Sequence, residues 1–142
     1  MAVMKEQTWQ RHSNPWSGWS RMLGYWGLLF AVYQHSWLGL AAVILFLIFN
    51  PKLFPAPKTQ NAWMSKAVLG ERLYTKSGIL KKDLPTLLNF LNLPFFIASI
   101  YFAYTQDIGG TVASGLLSTT YKLWFLDRMV TLYDHRPKDT SR

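Results

Sequence analysis

The stretch Trp37-Leu-Gly-Leu-Ala-Ala-Val-Ile-Leu-Phe-Leu-Ile-Phe49 contains no polar side chain. A helix on the surface of a soluble protein carries a polar residue every three or four positions, so that one face meets water. A segment that is apolar on all sides is typical of a helix surrounded by lipid. The stretch therefore predicts a membrane-spanning helix, although it is shorter than the roughly 20 residues that a bilayer core requires.

Two apolar blocks extend outward from this stretch. The first covers 22–49 and is interrupted by Gln34-His35-Ser36, and the second covers 84–133 and is interrupted by Thr105-Gln106-Asp107. Each interruption predicts a turn between two spans, because unpaired polar groups are costly in lipid. The alternative for the first block is one long tilted helix with Gln34-His35-Ser36 in the middle of the bilayer. We predict four helices, over about 15–33, 36–50, 84–104 and 108–133.

Capping residues and prolines mark the ends of these helices. Asn14-Pro15 places an N-cap before a proline at the first helical position, and Ser36 is suited to cap the second helix. Asn50-Pro51 should end or kink the second helix, and Pro94 should kink the third.

The basic residues lie in three groups: before or at the start of helix one, between helices two and three, and at or after the end of helix four. The two hairpin turns carry none. Because basic residues are retained on the cytoplasmic side, both termini and the loop 51–83 are expected in the cytoplasm, and the protein is expected in the cell membrane with several spans. We find no cleavable signal peptide and expect helix one to remain attached. The groups are Lys5, Arg11 and Arg21; Lys52, Lys58, Lys66, Arg72, Lys76, Lys81 and Lys82; and Lys122, Arg128, Arg136, Lys138 and Arg142.

The central loop 51–83 begins with a stiff proline-rich stretch and then predicts a helix over about 61–74. Its apolar residues can lie on one side while Lys66 and Glu71 reach water, which is typical of a helix at the membrane interface. The predicted fold is therefore an all-α membrane protein of one domain, 1–142. It has four short transmembrane helices as two hairpins, with an interfacial helix in the central cytoplasmic loop.

The two hairpins are candidates for an internal repeat. Shifting the chain by 72 positions aligns Phe30-Ala31 with Phe102-Ala103 and Gln34 with Gln106. Apolar sequence also matches by chance, so duplication and coincidence both stay open. Helix four carries Gly110 and small residues beyond it at helical spacing, which favours a close helix contact inside the bundle over a dimer contact.

Four segments carry a family resemblance. They are His12-Ser-Asn-Pro-Trp-Ser-Gly-Trp-Ser-Arg21, Asn50-Pro-Lys-Leu-Phe-Pro55, Trp63-Met-Ser-Lys-Ala-Val-Leu-Gly-Glu-Arg72 and Lys122-Leu-Trp-Phe-Leu-Asp-Arg-Met129. Together they resemble a family of small prokaryotic integral membrane proteins catalogued only as a domain of unknown function. The resemblance covers nearly the whole chain and implies a membrane location, but no reaction, ligand or partner.

Each of these segments lies at the cytoplasmic boundary of a helix or in the central loop, so their polar residues are predicted to converge on one mostly cationic surface. Arginine forks and free N–H groups at helix N-termini suit a phosphate or an anionic lipid headgroup. The candidate residues are His12, Asn14, Ser17, Arg21, Asn50, Lys66, Glu71, Arg72, Lys122, Asp127 and Arg128.

Structural roles compete with recognition at most of these positions. Asn14 and Asn50 are more often helix start and stop signals than ligands. Arg21 and Lys122 can extend their charges from just inside the core to the interface. Glu71-Arg72 and Asp127-Arg128 are equally suited to ion pairs that hold the loop on the bundle. His12 has no second strong ligand near it in sequence, so we expect no metal.

Three hypotheses of function follow. The preferred one is an accessory, scaffolding or lipid-surface-interacting membrane component, whose partners are the bilayer, its anionic headgroups, and further copies or a larger membrane complex. An enzyme acting on lipid or isoprenoid phosphates is an alternative, but paired carboxylates and a nucleophile with a base are not evident. A small oligomeric transporter is the other, although its spans hold almost no ionisable residue. The absence of cysteine excludes thiol chemistry, and we expect no cofactor and no nucleic-acid partner.

Overall fold

A computed structural model describes residues 5–78 and 81–137, and within these ranges the chain is all-α. The predicted all-α class is confirmed. Lys138 and Arg142 of the basic C-terminal group lie outside the described residues. The helices are α1 (Glu6–His12), α2 (Pro15–Tyr33), α3 (Trp37–Leu53), α4 (Trp63–Lys76), α5 (Leu84–Tyr104) and α6 (Ile108–Asp134).

Two elements differ from the sequence predictions. The seven-residue helix α1 was not predicted, because so short a helix is marginal alone; here the contacts of Glu6 with Arg72 and of His12 with Arg21 hold it on the bundle. The helix α3 continues through Pro51 to Leu53 instead of ending at Asn50. A proline in the last turn removes only its own N–H from the helical bonding, so the final residues stay helical.

Side-chain caps start the four long helices at the predicted positions. Asn14 accepts a hydrogen bond from the N–H of Trp16, and Ser36 accepts one from Gly39. Asp83 and Asp107 cap α5 and α6 in the same way. Each cap satisfies one of the N–H groups that a helix start leaves without a partner.

The long helices form two hairpins, α2–α3 and α5–α6. The alternative of one long first helix is wrong, because α2 ends at Tyr33, and His35 adopts a left-handed φ of 50° before α3 begins. Gln106, at φ 58°, occupies the equivalent place in the second turn. The backbone hydrogen bonds of the two turns, such as Ser36 N to Ala31 O and Asp107 N to Phe102 O, match at an offset of 71 residues, not 72.

The two hairpins meet along α2 and α5, which run parallel from one end of the bundle to the other. Tyr25 and Phe96, again 71 positions apart, stack with ring centroids 5.5 Å apart and planes at 24°. Nearer the turns, Leu29, Val32 and Ala103 form a buried cluster. We call the end with the two turns the turn end, and the opposite end, where α4 lies, the α4 end.

The helix α4 packs against the last third of α6. Met64 and Ala67 lie in one buried cluster with Phe125 and Met129. A Cβ atom at Gly70 would lie 2.0 Å from the carbonyl oxygen of Met129, so the two backbones touch there. The predicted apolar face of α4 is therefore buried within the protein instead of resting on a membrane interface, because the end of α6 covers it.

Among the described helices, α5 is long and apolar enough to cross a membrane, and α3 is apolar but has 17 residues. The first turns of α2 contain Ser17, Ser20 and Arg21, and α6 becomes polar from Lys122 onward. By the criteria of length and apolarity, α5 is thus the candidate membrane span among the described helices.

Candidate functional site

A cavity of about 390 Å³ lies at the α4 end, between α2, α5 and α6, and α1 and α4 border it. We call it the polar cavity. It brings together four of the sequence-predicted residues, His12, Arg21, Glu71 and Lys122. Its other lining residues are Trp9, Gly18, Met22, Tyr25, Met64, Asn92, Phe96, Ser118, Thr119 and Leu126.

Arg21 lies on the second turn of α2 and is positioned by its own helix and by α1. Its Nε donates to the carbonyl oxygen of Ser17 at 3.2 Å, and a terminal nitrogen lies 2.8 Å from Nε2 of His12. Because a guanidinium only donates hydrogen bonds, His12 Nε2 accepts this bond. The proton of a neutral His12 ring is therefore on Nδ1.

His12 is a buried imidazole that stays neutral near pH 7. Burial, together with the positive charge of Arg21, lowers its pKa to about 4. Nδ1 is also buried, and among the described residues it has no hydrogen-bond partner. Trp9 holds the other side of the ring in an edge-to-face contact at 5.8 Å. The ring therefore carries one unused donor at the border of the cavity.

Glu71 of α4 and Lys122 of α6 form the opposite charged wall. The Lys122 Nζ lies 3.6 Å from a carboxylate oxygen of Glu71 and 4.7 Å from the ring centroid of Phe125. With Arg21 and Lys122 positive, Glu71 negative and His12 neutral, the cavity lining carries one net positive charge. It is therefore suited electrostatically to one monoanionic group.

The wall nearer the turn end is polar but uncharged. The Ser118 hydroxyl donates to Oδ1 of Asn92 at 2.7 Å, and Tyr25 is bonded to Ser99 at 2.8 Å. The Thr119 hydroxyl is buried and has no partner among the described residues. The wall thus offers hydroxyl and amide groups beyond the charges.

Sequence reasoning did not select Asn92 as a site residue. The sequence offers a partial signal, because the apolar run of α5 contains two amides, Asn89 and Asn92, of which Asn92 lines the cavity. Asn92 also stands 71 positions after Arg21, the offset that relates the two hairpins. The residues selected from the sequence lie at helix boundaries or in the central loop, whereas Asn92 lies in the interior of α5.

The other sequence-predicted residues lie away from the polar cavity. Asn14 caps α2 and donates to the carbonyl oxygen of Pro55 at 2.9 Å. Ser17 donates to Oδ1 of Asn50 at 2.6 Å, and the Asn50 amide donates to Ser20 at 2.8 Å, which ties α3 to α2. These contacts agree with structural roles at the α2–α3 boundary.

The remaining charged candidates form ion pairs. Lys66 pairs with Asp134 at 2.9 Å, and Arg72 pairs with Glu6 through both of its terminal nitrogens. Arg128 pairs with its neighbour Asp127 at 2.7 Å. The first two pairs hold α4 to α6 and to α1. Within 5–78 and 81–137, no three His, Asp or Glu side chains are grouped as metal ligands.

These features define a small all-α protein of two helical hairpins with a singly positive, partly enclosed cavity at one end. The chain belongs to the family described as "Family of unknown function (DUF6653)", whose model matches residues 2–141. The predicted membership of a family of unknown function is confirmed. Comparison with curated proteins and with solved structures gives no significant match.

Proposed function

We propose that this protein is a four-span integral membrane protein that binds the headgroup of an anionic lipid in the polar cavity, as a lipid-interacting accessory component of the membrane. In this proposal α2, α3, α5 and α6 cross the bilayer. The α4 end and both termini face the cytoplasm, and the two turns face the opposite side.

The distribution of polar and apolar residues supports insertion into lipid. In α3 the buried residue is Asn50, whereas Leu38 is 85% exposed and Ile48 is 62% exposed. Only 22% of the apolar stretch of α5 is buried within the protein. A core helix of a soluble protein buries its apolar residues, so polar groups inside and apolar groups outside favour a lipid surrounding.

The basic residues support the orientation. The two turns, 34–36 and 105–107, contain none, while Arg11, Lys58, Lys66 and Arg136 all lie near the α4 end. Because basic residues are retained in the cytoplasm, this distribution favours a cytoplasmic location for that end. The 27 residues of α6 span about 40 Å at 1.5 Å per residue, so its last turns with α4 extend past a bilayer core of about 30 Å.

The observation that carries the headgroup proposal is the convergence of Arg21 and Lys122 on one cavity that holds a single opposing carboxylate, Glu71. A monoanionic phosphodiester would neutralise the remaining charge. It would also accept hydrogen bonds from the Arg21 fork and from the Lys122 ammonium, which both line the cavity. Apolar Met22, Phe96 and Leu126 border the same cavity and suit the glycerol and first methylenes of a lipid.

The test is native mass spectrometry of the protein released from nanodiscs that contain either phosphatidylglycerol or phosphatidylcholine. We expect one retained phosphatidylglycerol per chain and a loss of about tenfold in retention for Arg21→Gln, as removal of a charge-assisted contact predicts. The matched control is Arg128→Gln, which removes an arginine that does not line the cavity. Equal retention by the two variants, with both folded, would refute the proposal.

The enzyme and transporter hypotheses remain alternatives that no observation in the described residues favours. The cavity hydroxyl of Ser118 is bonded to an amide and not to a base. Retention of a stoichiometric protein partner during mild purification would extend the accessory role to a larger assembly.

A further inference from the structure

A second cavity lies between α2 and α6, closer to the turn end. Its volume is about 350 Å³. Trp26, Leu29 and Phe30 line it from α2, and Ile108 and Val112 line it from α6. Nearly all of its surface is apolar, and we call it the apolar cavity.

The two cavities follow one another along the same pair of helices. Between them α2 and α6 touch: a Cβ atom at Gly115 would lie 2.8 Å from Cη2 of Trp26 and 3.2 Å from Cδ1 of Leu29. From Arg21 to Phe30 the path along α2 is about 13 Å, at 1.5 Å per residue. The series along this path runs from charged groups to amide and hydroxyl groups and then to apolar groups.

This order is the order of groups in an amphiphile that lies parallel to the helices with its headgroup at the α4 end. The charge of Arg21 and Lys122 selects the headgroup end, and the chain then extends toward the turn end. The rim residues Phe30, 66% exposed, and Val112, 41% exposed, leave the apolar cavity accessible from the side. Chain entry therefore needs no opening of the bundle.

We propose that the apolar cavity holds one acyl chain of the same anionic amphiphile whose headgroup occupies the polar cavity. The ligand is accordingly a long-chain monoanionic amphiphile. Its chain crosses from the polar to the apolar cavity along the outer side of the contact between Trp26 and Gly115, because that contact closes the direct path. This inference rests on the proposed headgroup site, and it adds a requirement for chain length.

The first experiment compares Val112→Trp, which fills the apolar cavity from its rim, with Leu116→Trp. Leu116 is one turn further along α6, 54% exposed, and lines neither cavity. Binding of short-chain and long-chain phosphatidylglycerol in detergent is measured for each variant. Wild type and Leu116→Trp should bind the long-chain lipid at least about tenfold more tightly, since each buried methylene adds about 0.8 kcal/mol.

Val112→Trp should abolish this chain-length preference and leave the short-chain affinity within about twofold of wild type. A preference that persists in Val112→Trp would refute the acyl-chain site. If binding at either chain length is unaffected by Arg21→Gln, the headgroup proposal itself fails, so the two failures are distinguishable. Inorganic phosphate as competitor separates recognition of a free anion from recognition of a lipid.

A second experiment keeps the inference testable should Val112→Trp not fold. Wild-type protein is photo-crosslinked to phosphatidylglycerol with a diazirine near the end of one chain, and the modified peptides are mapped. We expect crosslinks in 26–34 and 108–112 that unlabelled phosphatidylglycerol displaces and phosphatidylcholine does not. Equal labelling of the exposed face of α3 would show ordinary bilayer contact and would refute the proposal.

Discussion

The side chain of His35 donates a hydrogen bond from Nε2 to the carbonyl oxygen of Tyr104 at 2.9 Å, which joins the first turn to the end of α5. Gln106 makes the reciprocal contact: its side-chain amide donates to the carbonyl oxygen of Tyr33 at 3.1 Å. The donors are 71 positions apart, and so are the acceptors. The two hairpins thus contact each other as pseudo-symmetric halves, as in an interface between identical units.

Loss of this reciprocal contact should destabilise the turn end. We expect His35→Ala to lower the free energy of unfolding by about 1 kcal/mol, because one side-chain hydrogen bond is lost. His35→Gly loses the same bond but relieves the left-handed backbone, which costs about 1 kcal/mol for a residue with a Cβ, so it should be nearly neutral. Denaturant unfolding in detergent measures both, and an alanine variant as stable as the glycine variant would contradict this account.

The contact of α4 with α6 should tolerate no side chain at Gly70. Gly70→Ala places a Cβ against the Met129 carbonyl, and we expect a loss of about 2 kcal/mol or more, as overpacking of a rigid contact predicts. Gly109→Ala is the matched control, since its nearest neighbour would be 3.5 Å away. Alanine forms helices better than glycine, so this variant in the first turn of α6 should be slightly more stable. Thermal unfolding should move in opposite directions for the two variants.

Asn50 should contribute more to stability than the larger apolar residues around it. Asn50→Ala removes the acceptor of the fully buried Ser17 hydroxyl, and an unsatisfied buried group costs about 1–3 kcal/mol. The side chain of Ile48 is exposed and apolar, so Ile48→Ala should change the free energy of unfolding little. Equal destabilisation by Asn50→Ala and Ile48→Ala would argue against the polar tie between α2 and α3.

His12 should make stability depend on pH below neutrality. Its folded pKa, about 4, lies below the ordinary value of 6.5, so the unfolded chain binds more protons between these values. Stabilisation is therefore full above about pH 6.5 and falls progressively toward pH 4, by an amount on the order of 3 kcal/mol.

The control for this pH effect is His12→Gln, whose carbonyl oxygen still accepts the bond from Arg21 but does not titrate in this range. Melting temperatures of the two proteins should diverge as the pH falls, with wild type losing more. Parallel pH profiles would contradict the assignment of the acid sensitivity to His12.

The absence of cysteine allows a direct test of the proposed orientation. Thr105→Cys, in the exposed second turn, should react with an impermeant maleimide on intact cells. Lys58→Cys, exposed near the α4 end, should react only after permeabilisation. The reversed pattern would contradict the proposed cytoplasmic location of the α4 end.

The sequence alone located the long helices well, because their determinants are local. The helix α2 starts at Asn14-Pro15, and α5 starts at Asp83 with Pro85 two positions later. Apolar runs of helical length continue both helices. It also selected His12, Arg21, Glu71 and Lys122 of the polar cavity, together with other residues that lie elsewhere. Those others could not be separated from the site, since an arginine that pairs with Glu6 has the same local signature as one that lines a cavity.

The tertiary structure decided what depends on contacts between distant segments. It holds α1 against α2, buries the apolar face of α4 under α6, and brings Asn92 into the same cavity as Arg21. It also set the structural correspondence between the two hairpins at an offset of 71 residues, through the matching turn bonds. Propensity and periodicity act within a few turns of one helix. These relationships arise only when close contacts fix how the helices pack, as the backbones do at Gly70 and the side chains of α2 do at Gly115.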